Sequence, residues 1–156
     1  MNHKILRLLI CIGIPLGVGG LSAWITKDSM DTFGKLVQPP LSPPSWLFPV
    51  VWTILFILMG IASYLIATQP EPQCSVAKSL RLYAIQLGVN FLWSILFFNF
   101  SLYLPAFLWL LLLWALILIT TLKFYKISTT AAGLMLPYLL WVTFAGYLNM
   151  GIYLLN

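Results

Sequence analysis

Charge is what this sequence has least of. Only 7% of its 156 residues are Asp, Glu, Lys or Arg, against roughly 25% in an ordinary soluble domain. Asp28, Asp31 and Glu71 are its only acidic residues, none of them inside a long apolar stretch, and the single histidine, His3, stands at the N-terminus. Proton relays, most metal centres and charge-relay hydrolases need ionisable groups held within the fold, and these are excluded. Cysteine is almost as scarce. Cys11 lies in the first apolar stretch and Cys74 in a polar connection, at no metal-ligand spacing, so both read as structural thiols. The net charge of +5 comes from basic residues scattered singly, not from the dense patch of a nucleic-acid-binding protein. No metal, no cofactor and no nucleic-acid partner are expected.

What is present is apolar. Hydrophobic residues make up 62% of the chain and the mean hydropathy is +1.00, a composition for which membrane lipid is the natural surroundings. A span needs about 20 largely apolar residues at about 1.5 Å each to cross about 30 Å of hydrocarbon. Five stretches qualify, at about 8–25, 47–67, 82–100, 103–122 and 131–155. Residues 82–122 carry no charge, yet as one helix they would reach about 61 Å, twice the bilayer. The chain must therefore turn back, at Asn99-Phe100-Ser101, with Pro105 in the next helix's first turn, where a missing N–H is tolerated. Met1 to Ala23 has the outline of a signal peptide, but Gly13, Pro15, Gly17, Gly19 and Gly20 interrupt its apolar run, and it reads as a retained helix. The expected fold is a single domain over 1–156, an all-α membrane protein built as a five-transmembrane-helix bundle.

Lys4, Arg7, Lys78, Arg81, Lys123 and Lys126 flank one side of that bundle, and only Lys27 and Lys35 flank the other. The positive-inside rule makes the N-terminus cytoplasmic. The first loop, 26–46, then faces outward and is the only long connection. Its second half, Gln38-Pro39-Pro40-Leu41-Ser42-Pro43-Pro44-Ser45-Trp46, is stiffened by four prolines. It reads either as a rigid lid over the outer mouth or as a plain linker.

Aromatic and amide residues recur at helical spacing on three spans. Trp52, Phe56, Met59 and Ser63 share one face of the second, Gln86, Asn90, Trp93 and Phe97 one face of the third, and Tyr138, Trp141, Ala145 and Asn149 one face of the fifth. Trp24, Trp46, Trp109 and Tyr153 fall near span ends, where interfacial belts collect such residues. For Gln86 and Asn90, interhelical bonding and ligand contact are both open readings, since an amide in hydrocarbon must find some partner. Trp52 and Trp141 lie within their spans and point to an aromatic pocket suited to a planar ligand. Gly13-Ile14-Pro15-Leu16-Gly17 is a GxxxG motif, read as close helix packing inside the bundle.

These residues resemble the tryptophan-rich sensory protein or translocator protein (TspO) family. The shared motifs are Pro43-Pro44-Ser45-Trp46, Pro49-Val50-Val51-Trp52-Thr53-Ile54-Leu55, Met59-Gly60 and Ser63-Tyr64-Leu65. They continue with Gln86-Leu87, Asn90-Phe91-Leu92-Trp93, Pro137-Tyr138-Leu139-Leu140-Trp141, Phe144-Ala145 and Leu148-Asn149. The resemblance implies five helices with a long first loop closing a pocket, often as a homodimer, integral to a bacterial cell membrane. It also implies binding of porphyrins, notably protoporphyrin IX, and of isoquinoline or benzodiazepine-type drugs. The resemblance matches Asn90, Trp93, Ala145 and Leu148, with Trp52 and Trp141, to pocket positions; with Phe56, Gln86, Phe97 and Tyr138 from the stripes they make the expected ligand site, and Phe33, Pro43, Pro44 and Trp46 are its candidate lid residues. Trp52 and Trp141 match tryptophans implicated in porphyrin photodegradation. The sequence departs from the family at Leu41, where a tryptophan is usual, at Phe33, often a tyrosine, and at Leu110, near a position acidic in many relatives. The tail bearing the cholesterol-recognition motif of animal members does not follow Asn156.

The leading expectation is a binding protein or sensor for porphyrins and similar planar ligands, or a transporter of them. The alternatives are light- and oxygen-dependent porphyrin degradation, with Trp52 and Trp141 as the candidate catalytic pair, and a structural membrane partner that binds no small molecule.

Overall fold

The computed structural model describes residues 2–70 and 72–156. The side chains of Gln73 and Cys74 lie outside that description, and with them the reading of Cys74 as a structural thiol. Cys11 is unpaired and half-buried. The chain is 86% helical, with no strand among the described residues. Lipid offers backbone groups no partners, so a chain this apolar must close its hydrogen bonds within each segment.

Helix α1 spans His3–Thr26 and begins earlier than hydropathy alone suggests. Asn2 Oδ1 accepts from the Lys4 N–H at 3.1 Å, a cap that fixes the start, and the long stems of Lys4 and Arg7 suit the membrane edge. A 3₁₀ turn, Lys27–Ser29, and the short helix α2, Met30–Gly34, follow, so the long loop is helical in its first part. Helix α3, Leu47–Ala67, ends shortly before Pro70 and Pro72, which cannot continue it. Helix α4, Gln73–Ser94, passes into a π-helical turn, Ile95–Asn99. There the Phe100 N–H reaches back to the Ile95 carbonyl at 3.2 Å and the Leu102 N–H to that of Leu96 at 3.1 Å. Ser101, at φ 53°, completes the reversal at the expected place.

Helix α5 runs Tyr103–Ile127 with Pro105 in its first turn. Ser128 is extended and separates it from α6, Thr129–Leu155, whose first turn it caps by accepting from the Ala131 N–H at 3.2 Å. Among the described residues, five helical segments are long and apolar enough to cross a membrane. They form a ring in the order α1, α3, α6, α5, α4, most extensively joined between α5 and α6 and only lightly closed between α4 and α1.

The glycines correct one expectation. Gly13 and Gly17 have nothing within 4 Å of where a Cβ would stand, so the GxxxG face of α1 points out of the bundle. Close packing comes instead from Gly60 of α3, against the backbone of Cys11 and Ile12, and from Gly19, whose missing side chain leaves room for the Phe56 ring. The reason is register: six residues at about 3.6 per turn put Gly19 well round the helix from Gly13.

Candidate functional site

Two aromatic clusters fill the lid-side interior, with a column of amides between them. The first joins α3 and α6. Trp52 stacks on Phe56 at 5.6 Å between centroids and meets Tyr138 and Trp141 edge to face at 6.3 and 6.5 Å. Phe48 and Phe144 close on Trp141 at 5.9 and 5.6 Å. The second cluster joins α2, the end of α4 and the start of α5. Phe97 stacks on Trp93 at 5.4 Å and lies 4.9 Å from Phe98, 5.1 Å from Tyr103 and 5.7 Å from Phe33. All these separations fall in the range of favourable aromatic pairs.

The column is polar and fully buried. The Tyr138 hydroxyl donates to Gln86 Oε1 at 2.7 Å and accepts from Asn90 Nδ2 at 2.8 Å. Gln86 Nε2 points at the Met59 sulfur, 3.9 Å away. The Trp93 indole donates to Asn149 Oδ1 at 3.1 Å, and Asn149 Nδ2 donates to the Tyr103 carbonyl at 2.8 Å. Each bond ties one helix to another, and each partner satisfies a group that hydrocarbon would leave orphaned. Among the described residues two buried side-chain polar atoms have no hydrogen-bond partner: the Tyr83 hydroxyl, whose ring stands 6.0 Å from Phe124, and, in the first aromatic cluster, Trp141 Nε1.

The lid is held at both edges. On one side Phe33 wedges against Phe98 at 5.2 Å, and the Ser29 hydroxyl donates to Asn99 Oδ1 at 2.7 Å. On the other, Asn156 takes both polar groups of Val37, accepting from its N–H and donating to its carbonyl at 3.0 Å each. The Tyr147 hydroxyl donates to the Pro40 carbonyl at 2.6 Å. Pro39 is buried over Gly151, where a Cβ would stand 2.6 Å from the proline ring. Beyond this dock the chain stands off. Leu41 is 85% exposed in a left-handed conformation, φ 67°, and Trp46 is 65% exposed.

The structure thus brings together Trp52, Phe56, Gln86, Asn90, Trp93, Phe97, Tyr138 and Trp141, with Ala145 and Leu148 buried on α6 beside them. Phe33 joins the second cluster, whereas Pro43 is half-buried and Pro44 and Trp46 lie exposed on the loop. Sequence reasoning missed Phe48, Phe98, Tyr103 and Phe144. Phe98 is adjacent to Phe97 and would point elsewhere on an α-helix; the π turn brings both rings inward. Phe48 and Phe144 keep helical spacing with Trp52 and Trp141, a signal that was available.

A ring of five helices long and apolar enough to span a membrane, around an aromatic, amide-lined interior, defines an all-α integral membrane protein. Comparison with known proteins places it further. The sequence profile of the TspO/MBR family matches residues 11–155, and the chain belongs to that family. It is 43% identical to the tryptophan-rich protein TspO of Chlorobaculum tepidum, over 100% of this chain and 99% of that one. It is 38% identical to the protein of the same name from Archaeoglobus fulgidus, over 98% and 99%. The translocator protein of Bos taurus is 35% identical over 87% of this chain and 82% of its own.

Proposed function

We propose that the protein binds porphyrins, protoporphyrin IX among them, and similar planar apolar ligands between α3, α4 and α6, as a membrane binding protein or sensor. The observation that carries this reading is the Trp141 indole N–H, buried without a partner on a residue packed against the rings of Phe48, Trp52 and Phe144. Buried donors are nearly always paired. One left free beside flat apolar surfaces is matched by a flat ligand with an acceptor on its rim, and stacking and apolar burial supply most of the affinity. The rings of this structure touch one another, so a ligand parts them. The lightly held stretch from Leu41 to Trp46 is the segment that yields. Titrating protoporphyrin IX into detergent-solubilised protein should quench tryptophan fluorescence saturably. Quenching no greater than in a Trp52→Phe, Trp141→Phe double variant would remove the site.

A second reading rests on the edge-to-face contact of Trp52 and Trp141 at 6.5 Å. Two oxidisable indoles against one bound ring system suit photochemical porphyrin degradation. New absorption bands on illumination in air, absent from the double variant, would favour it; unchanged porphyrin spectra would leave binding alone.

We further propose that the bundle lies in a bacterial cell membrane with the N-terminus cytoplasmic, from the six basic residues on that side against two on the other. A cysteine at Leu155, with Cys11 and Cys74 replaced, should react with an impermeant thiol reagent on intact cells. Labelling only after lysis would reverse the orientation.

A further inference from the structure

The loop between α1 and α3 consists of two segments of opposite character. Lys27, Asp28, Asp31 and Lys35 all fall in its first part, and no charged residue stands between Lys35 and Glu71. The uncharged part descends the flank of α6 instead of crossing above the bundle. Val37 is held by Asn156, Pro39 rests on Gly151, and Pro40 is bonded by the Tyr147 hydroxyl. From Asn156 to Tyr147 the descent is about 13 Å at about 1.5 Å per residue. Depth in the membrane follows from α5. Lys123 and Tyr103 stand about 30 Å apart along that helix, the thickness of a hydrocarbon core, so with Lys123 at one edge Tyr103 marks the other. The Asn149 side chain donates to the Tyr103 carbonyl at 2.8 Å, which sets that edge level with Asn149 on α6. Tyr147 then lies about 3 Å inside the edge and Trp141 about 12 Å inside. Phe48, in the first turn of α3, meets Trp141 at 5.9 Å. The chain from Leu41 to Trp46 joins these two depths and therefore runs within the leaflet.

Its chemistry suits those surroundings. Leu41 and Trp46 are the most exposed apolar side chains of the loop, and Trp46 continues the exposed stripe of Val50 and Ile54 along α3. Pro39, Pro40, Pro43 and Pro44 have no N–H to desolvate. The Pro39 carbonyl accepts from the Ser42 N–H at 3.3 Å and from its hydroxyl at 2.7 Å, the Pro40 carbonyl from Tyr147 at 2.6 Å, and the Pro44 carbonyl from the Leu47 N–H at 3.0 Å. Fewer free backbone groups remain than in an ordinary loop, which lowers the cost of placing irregular chain at membrane depth. We infer that residues 39–46 form a re-entrant wall of the bundle within the lid-side leaflet, with Leu41 and Trp46 in contact with lipid chains. Above the start of α3, the aromatic corner is thus separated from lipid by a proline segment and not by a helix. One consequence rests on the binding reading given above: the stretch that yields to a planar ligand yields into lipid.

The test uses the full chain in phosphatidylcholine nanodiscs, with Cys11 and Cys74 replaced by alanine and a nitroxide attached at Leu41→Cys. Oxygen concentrates in hydrocarbon and a nickel chelate stays in water, so the ratio of their collision rates with the nitroxide reads its depth. The ratio at Leu41 should approach that at Leu108→Cys, on the membrane face of α5, and exceed severalfold that at Asp31→Cys, in the charged part of the loop. A ratio equal to that at Asp31 would place the segment in water and overturn the inference. Spectral broadening by a nitroxide on another copy of the chain would give the surface to that copy and overturn it as well. If the labelled variant does not fold, the native Trp46 signal, taken as the difference between the protein and its Trp46→Phe variant, supplies the reading. Quenching by chain-brominated phosphatidylcholine with protection from aqueous iodide is expected; quenching by iodide alone would return Trp46 to water and defeat the proposal. Neither measurement uses a ligand, so the inference stands or falls apart from porphyrin binding.

Discussion

The α4 side of the interior and the α3–α6 corner use the same kinds of residue, yet they differ in whether the polar atoms are paired. On the α4 side, Gln86, Asn90, Trp93 and Asn149 spend their side-chain groups on Tyr138, on one another and on the Tyr103 carbonyl. In the corner, Trp52 and Trp141 pack against aromatic rings and make no side-chain hydrogen bond among the described residues, and the Trp141 N–H is left over. An interhelical bond inside a membrane fixes how two helices are rotated and spaced, whereas ring contacts tolerate sliding at little cost. The column is thus the frame of the site and the corner its adaptable part.

Breaking the frame should have the largest effect. Tyr138→Phe removes one hydroxyl and orphans two buried amides, each worth about 1–3 kcal/mol when left unsatisfied. Interhelical bonds in membrane proteins measure lower, about 0.6 kcal/mol on average. A loss of about 2 kcal/mol is expected, read as a shift in denaturant-induced unfolding in detergent micelles. A change under about 0.3 kcal/mol would mean that the amides find other partners and that the column frames nothing.

The comparison sharpens when one chemical change is made on both sides. Trp93→Phe removes a paired N–H and orphans Asn149 Oδ1, while Trp141→Phe removes an N–H that has no partner. Trp93 is buried and Trp141 half-buried, so the difference combines the hydrogen bond with the larger ring area lost at Trp93. Trp93→Phe should be the more destabilising by about 1 kcal/mol. Equal losses would show that the Trp141 indole is bonded in the membrane-embedded protein.

Much of this was legible in the sequence. The five spans, the reversal at Asn99 to Ser101 and the three stripes of Trp52, Asn90 and Trp141 follow from length, hydropathy and the helical period. Rotation of the lipid-facing helices was not. Leu108 on the membrane face and Leu113 in the core differ fully in burial, 58% against 0%, but not in chemistry, because lipid is as apolar as the interior. The same degeneracy hid the outward turn of Gly13 and Gly17. The π turn at Ile95–Asn99 carries no residue signature, and the lid dock depends on Gly151 and Asn156 meeting a loop over 110 residues away in sequence.

The smallest effect tests the corner as a ligand wall. Trp141→Ala should weaken binding of a planar ligand more than Trp109→Ala. Trp109 is half-buried and its indole is already committed to the Val89 carbonyl at 2.8 Å, a bond that serves the α4–α5 contact. Trp141 has one ring face among Phe48, Trp52 and Phe144 and a free donor. Losing one aromatic partner costs about 0.5–1.5 kcal/mol beyond the lost area. Because Trp141 is only half-buried, the lower part of that range applies, about a threefold rise in dissociation constant. Each variant must first give the helical signal and the unfolding transition of a folded protein, since a truncated buried tryptophan can cost about 3–5 kcal/mol of stability. Should the two folded variants bind protoporphyrin IX equally, Trp141 is packing like Trp109. The unpaired N–H would then be a defect of the closed bundle, and the α3–α6 corner would lose its claim to be the adaptable half of the site.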